Sequence, residues 1–171
     1  MAKSLISSLI IVLIYSSTCL AYVRDYSGLA NNWESDKNKA YVSGKTLFDD
    51  GKTIINLFVI SFEKEYECNP VFKISFLEGN EYGDFLNNTP IKEGFIKLYV
   101  DNEIVYDGPA LEIIYTNVTE FGSPISEDIL NKISSGNIIK IELVDMMDIK
   151  FNLNKSKQNI DKAREGCIKE Q

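Results

Sequence analysis

Histidine is absent from all 171 residues. That excludes the Ser-His-Asp and Cys-His nucleophile arrangements outright. It also excludes the zinc ligand sets that depend on imidazole. Cysteine is scarce, with only Cys19, Cys68 and Cys167, too few for a four-cysteine zinc site. Positive charge is short as well, 18 Lys plus Arg against 25 Asp plus Glu. An acidic chain of this kind is a poor match for DNA, RNA or anionic membrane surfaces, which need a basic footprint. It suits solubility or a basic partner. Long apolar runs are missing too, except at the start.

The start reads as a secretory signal peptide over residues 1–21. Lys3 supplies the charge, Leu5 to Tyr15 the apolar core, and Cys19-Leu20-Ala21 a small-residue cleavage site. The apolar run falls short of the roughly 20 residues of a spanning helix. The alternatives are an uncleaved anchor or a lipid anchor on Cys19. Cleavage after Ala21 removes only Lys3 among the charges and takes the net charge from −7 to −8. It leaves no integral membrane segment, and periplasmic or secreted placement follows. Two cysteines then remain in an oxidising compartment, so a Cys68–Cys167 disulfide is expected, the alternative being two free thiols. The pair would close a loop of nearly a hundred residues, about 4–5 kcal/mol in the chain-entropy model.

Residues 22–52 read as a polar lead-in with Trp33 and Tyr41 packed onto the body, and 53–171 as one β-rich globular domain. Ile54 to Phe62 is apolar on both faces, as in a central strand. Val71 to Leu77 alternates, with Phe72, Ile74 and Phe76 on one face. Gly79 to Pro90 is a long loop. Phe95 to Val100 and Glu103 to Tyr106 form a hairpin across Asp101-Asn102. Leu111, Ile113 and Tyr115 share a face of the next strand. A helix is expected with Ser123 as cap, Pro124 at its first position and Gly136 at its end. Ile138 to Val144 and Asp148 to Leu153 are two more strands. Ser156 caps a last helix with Ile160, Ala163 and Cys167 on its inner stripe. The fold class is α+β and β-rich: a mostly antiparallel sandwich or curved sheet, with two short helices at its margin.

Several short motifs are coincidences of spacing. Gly44-Lys45-Thr46 and Gly51-Lys52-Thr53 lack the earlier glycine of a phosphate loop and read as two turns. Ser61-x-x-Lys64 lies at a strand end, which points the two side chains apart. Glu65, Glu67, Asp84, Glu103, Asp107 and Glu112 are the carboxylates available to a glycosidase-like pair. Asp49-Asp50-Gly51 and Asp101-Asn102-Glu103 lack the ligand series of a calcium loop. Asn87, Asn117 and Asn154 head glycosylation sequons, which are chance triplets in the AT-rich bacterial background that the Ile, Lys and Asn content suggests. No catalytic residue, cofactor site or metal site is assigned.

The C-terminal third resembles small periplasmic proteins of Gram-negative bacteria, of the invasion-associated locus B type and the type VI secretion accessory type. The features that carry the likeness are the signal peptide, the β-rich middle with Cys68, and the close Ile149-Lys150-Phe151-Asn152-Leu153, Ile160, Ala163 and Cys167. The resemblance implies an envelope or virulence-associated binding protein, not an enzyme, and transfers no functional residue. The leading expectation is therefore an exported, non-enzymatic binding or accessory protein of the bacterial envelope. Its partner would be another envelope or host protein, a basic one among the options. The alternatives are a carboxylate-based hydrolase of envelope glycans, or an inhibitor or immunity protein that plugs a basic site with the loop carrying Glu81 and Asp84. The export reading predicts that N-terminal sequencing of the mature protein begins at or near Tyr22. An intact chain recovered from the cytoplasm would remove the basis for the secretory argument.

Overall fold

The structure is a computed structural model that describes residues 32–47, 53–78, 92–114, 118–143 and 147–170. Among these, nine strands form one curled antiparallel sheet, a half-barrel, accompanied by two helices. The strands are β1 (Glu34–Asp36), β2 (Lys39–Leu47), β3 (Thr53–Phe62), β4 (Pro70–Glu78), β5 (Lys92–Val100), β6 (Glu103–Ile114), β7 (Val118–Pro124), β8 (Ile138–Leu143) and β9 (Met147–Asn152). The helices are α1 (Glu127–Ser135) and α2 (Ser156–Lys169). The strand order is β1-β2-β3-β4-β7-β6-β5-β8-β9. The expected curved sheet with marginal helices is thus the observed architecture.

The alternation of side chains in register explains the curl. Ala40 and Val42, Phe58 and Ile60, Phe72 and Ile74, Leu98, Ile139 and Ile141, and Phe151 project to one face and are buried. A flat sheet of this width would leave that face open, so it wraps around its own side chains. The wrap brings the far ends of the strand order together. Phe58 of β3 stacks on Phe151 of β9 with ring centroids 6.0 Å apart. Trp33 meets Phe58 edge-on at 5.9 Å, and its indole N–H donates to the Asn152 carbonyl at 2.9 Å.

Both helices lie at one rim. The tight turns β1–β2, β3–β4 and β5–β6 leave from this rim, as do the β7–β8 and β9–α2 connections. The strand ends at Leu47, Glu78, Ile114 and Leu143 lie at the opposite rim. α2 docks by Ile160, Ala163 and Cys167, the stripe expected from the sequence, and packs on β1, β2 and β3. Asn159, also buried, donates from Nδ2 to the Trp33 carbonyl at 3.1 Å. Arg164 stacks over the Phe62 ring and pairs with Glu127 of α1 at 2.6 Å. Cys68 and Cys167 are disulfide-bonded, with Cα atoms 6.0 Å apart. The bond ties the end of α2 to the 3₁₀ turn Lys64–Tyr66 and the residues that follow it.

Five expectations are corrected. Residues 34–47 are not a lead-in: β1 pairs with β2 and β2 with β3, because Ala40 and Val42 alternate inward behind polar neighbours. Gly44-Lys45-Thr46 is therefore strand, not turn. Residues 103–114 are one strand that carries a bulge opposite Leu98 and Tyr99, and β7 follows it where a helix cap was expected. The α1 cap is Ser126, whose Oγ accepts from the Ile129 N–H, while Ser123 and Pro124 end β7. Ser156 does not cap α2: it is buried, and its hydroxyl donates to the Ile133 carbonyl at 3.3 Å.

Gly166 shows how tightly α2 is seated. A Cβ there would lie 2.1 Å from the Lys37 carbonyl oxygen, a backbone atom in the β1–β2 turn. Alanine gains about 1 kcal/mol of helix propensity over glycine. Overpacking against backbone costs about 1–3 kcal/mol, occasionally more, and wins because the turn cannot rotate away. Gly166→Ala is expected to lower stability by about 1–2 kcal/mol in urea unfolding. Cys68→Ser and Cys167→Ser are each expected to cost about 2–5 kcal/mol, and the double variant no more than either. An unchanged midpoint for Gly166→Ala would show that α2 is loosely held.

Candidate functional site

A cleft opens where four chain ends meet: the end of α1, the start of β8, the end of β9 and the start of α2. Gly136 ends α1 where expected, though as the C-cap in extended backbone and not in the left-handed C′ role, and leaves no room for a side chain: a Cβ would sit 2.3 Å from Val100 Cγ1. The next two residues form the first wall. Asp101, at the β5–β6 turn, accepts the Asn137 N–H at 3.1 Å and the Ile138 N–H at 3.0 Å. It also accepts Asn137 Nδ2 at 3.1 Å. Asp101 and Asn102 have φ of 49° and 73°, the left-handed pair expected of this hairpin.

The second wall follows β9. The Leu153 N–H donates to the Asn137 carbonyl at 2.8 Å and holds the walls together. The Asn152 side-chain oxygen accepts the Asn154 N–H at 2.7 Å, which turns the chain, and Lys155 follows at φ 65°. Between the walls is a volume of about 510 Å³, within the size range of small-molecule sites. Asn137, Asn152, Asn154, Lys155 and Lys157 line it around the half-exposed Ile138. Among the described residues no acidic side chain lines it, in a chain that carries 25 of them. The cleft therefore offers amide donors, ammonium groups and one apolar contact. Lys157 also pairs with Asp161 at 3.3 Å on the exposed helix surface.

The residues singled out from sequence are dispersed. Cys68 and Cys167 meet as the disulfide. Glu81 and Asp84 lie outside the described residues, as do Asn87, Asn117 and the Asp49-Asp50-Gly51 triplet. Asn154 is exposed in the cleft, while the sequon's third residue, Ser156, is buried. Ser61 is buried in β3, while Lys64 is exposed and donates to the Glu170 carbonyl. Glu65 and Glu67 are exposed in the β3–β4 turn, Glu103 pairs with Lys132, and Asp107 pairs with Lys97 at 3.9 Å. Glu112 is half-buried on β6. Among the described residues no group of three or more His, Cys, Asp or Glu is placed to hold a metal ion. None of their helices is long and apolar enough to cross a membrane.

No family model, curated protein or solved structure matches this chain. The likeness of its C-terminal third to periplasmic proteins is therefore carried forward only as a proposal.

The cleft escaped the sequence reading because its residues come from two segments that only the sheet register joins. The available signal was local: Asn152, Asn154, Lys155 and Lys157 crowd six positions without an acid, an unusual density in this chain.

Asp101 is the group on which the first wall depends. Hydrogen bonds from the Ile138 and Asn137 amides hold its carboxyl below the ordinary Asp range. A depressed pKa means that the unfolded chain binds the proton more readily, so Asp101 contributes stability above the unfolded value, about pH 4. That contribution is lost as pH falls through the lower folded pKa. Asp101→Asn is expected to lower the melting temperature at neutral pH, with the gap from wild type closing below about pH 4. A gap that stays constant down to the acid limit would show that the carboxylate does not brace this wall.

Proposed function

We propose that this chain is exported to the periplasm or the cell exterior and serves the bacterial envelope as a non-enzymatic binding or accessory protein. The disulfide supports the compartment, because such bonds persist where the milieu is oxidising. The signal-like first 21 residues and the C-terminal resemblance point the same way. The observation that carries the binding reading is the acid-free cleft of Asn137, Asn152, Asn154, Lys155 and Lys157 in an otherwise acidic protein. Ammonium and amide donors around a small apolar contact suit a small acidic ligand, such as a sugar acid or an acidic amino acid, with the carboxylate at Lys155.

The reading is tested by titrating the purified protein with galacturonate, N-acetylneuraminate, glutamate, citrate and inorganic phosphate. At least one carboxylate is expected to raise the melting temperature with a saturable dose response. Lys155→Glu, an exposed change, is expected to weaken that binding about tenfold or more, because it replaces a charge-assisted contact by a like-charge repulsion. Saturable binding that ignores Lys155→Glu would place the ligand elsewhere, and no response to any of the five would remove the cleft as the carrier of function.

A further inference from the structure

We propose that two copies of this chain associate face to face through the outer surface of β5 and β6. Most apolar side chains on these strands turn inward, yet Phe95 is 60 % exposed and Leu111 is 52 % exposed. Pro109 is exposed between them. The three are contiguous: Phe95 lies directly opposite Pro109 in the register, and Leu111 lies opposite Glu93, one step along the same face. On its other side Leu111 faces Gly122, which adds no side chain to that flank. Single exposed apolar residues are ordinary on a protein surface. A contiguous apolar group on paired inner strands of the sheet is a standing surface of the kind that docks another protein.

Charge selects a second copy as the occupant. The next pair along the same face is Lys97 opposite Asp107, 3.9 Å apart. A two-fold axis parallel to the strands and midway between β5 and β6 exchanges the two strands. It places Phe95 of each copy over Pro109 of the other, Lys97 of each over Asp107 of the other, and Glu93 of each beside Leu111 of the other. The face is thus complementary to itself, as an isologous contact requires. Aligned packing of two sheets by their outer faces is a standard geometry. A strongly basic partner would meet Lys97 and, beyond Gly122, Lys73 as well as Glu93 and Asp107, so this mixed face gives a partner of one sign no net gain. An anionic lipid surface is repelled by the net charge of −7. Because the sheet curves away on both sides, the contact is small, in the range of weak, reversible dimers. The face is separate from the cleft between α1 and α2, so the proposal stands independently of the binding reading.

Sedimentation equilibrium of the exported protein over about 1–200 µM tests it, a range chosen to bracket micromolar association. The wild type is expected to be a reversible dimer. Leu111→Glu is expected to raise the dissociation constant about thirtyfold or more, as for a central anchor residue. Lys97→Glu weakens the dimer by stacking like charges, and Lys97→Glu combined with Asp107→Lys restores it. Leu111 and Asp107 are exposed and Lys97 is half-buried, and unchanged melting curves confirm that each variant folds. A wild type that stays monomeric across the range overturns the proposal. So does a dimer that ignores Leu111→Glu, or a charge exchange that fails to restore association.

Discussion

Closure of the curled sheet is the constraint on which the rest of the molecule depends. Nine strands wrap around one apolar face, and the seam between the two ends of the strand order must be shut for that face to be dry. Trp33 does this chemically as well as sterically. Its ring packs on Phe58, while its N–H satisfies the Asn152 carbonyl at the end of β9. Asn159 then satisfies the Trp33 carbonyl from α2. A buried carbonyl without a partner at this seam would cost about 1–3 kcal/mol, so one tryptophan, one amide and one strand end form a single unit. The disulfide holds the far end of α2 over the same rim.

That closure also creates the cleft. α1 connects β7 to β8 and α2 follows β9, all at one rim, and their ends cannot all be filled with side chains. Gly136 and Gly166 mark how little space is spare beside the helices. The room that remains lies between Asn137 and Asn154, braced from behind by Asp101. A turn carboxylate that accepts three N–H groups is spent on structure, which keeps its charge out of the cleft. The result is a donor-rich pocket beneath a largely acidic exterior.

The outer face follows a different logic. On the outer face of β6, β5, β8 and β9 opposite charges pair: Asp107 with Lys97, and Lys140 with both Glu142 and Asp148. Tyr99 donates to Glu142 and lies under the Lys140 ammonium. Exposed pairs of this kind add little stability individually. They do keep a wide sheet surface polar and matched. The apolar step at Phe95, Pro109 and Leu111 interrupts that ladder, so the exposed group is a local feature and not a general thinning of surface charge.

Much of the local structure was legible from residue order alone. The strands β3, β4, β5 and β8 follow from period-two alternation or dense apolar runs, and the left-handed pair Asp101-Asn102 follows from turn chemistry. The inner stripe of α2 follows from helical spacing, and compartment chemistry together with that stripe pointed to Cys68 with Cys167. What failed did so for identifiable reasons. β1 and β2 look polar because one of their faces is solvated and the apolar set on the other is small, Ala40 and Val42. β7 was hidden because Ser123-Pro124 mimics a helix start three residues before the true cap at Ser126. The pocket and the apolar step could not be read at all. Asn137 and Asn154 become neighbours only when β8 pairs with β9, and Phe95 meets Pro109 only through the β5–β6 register. Local propensity acts over a few residues along the chain, whereas a site is built across strands, where pairing and burial decide which distant side chains share a face.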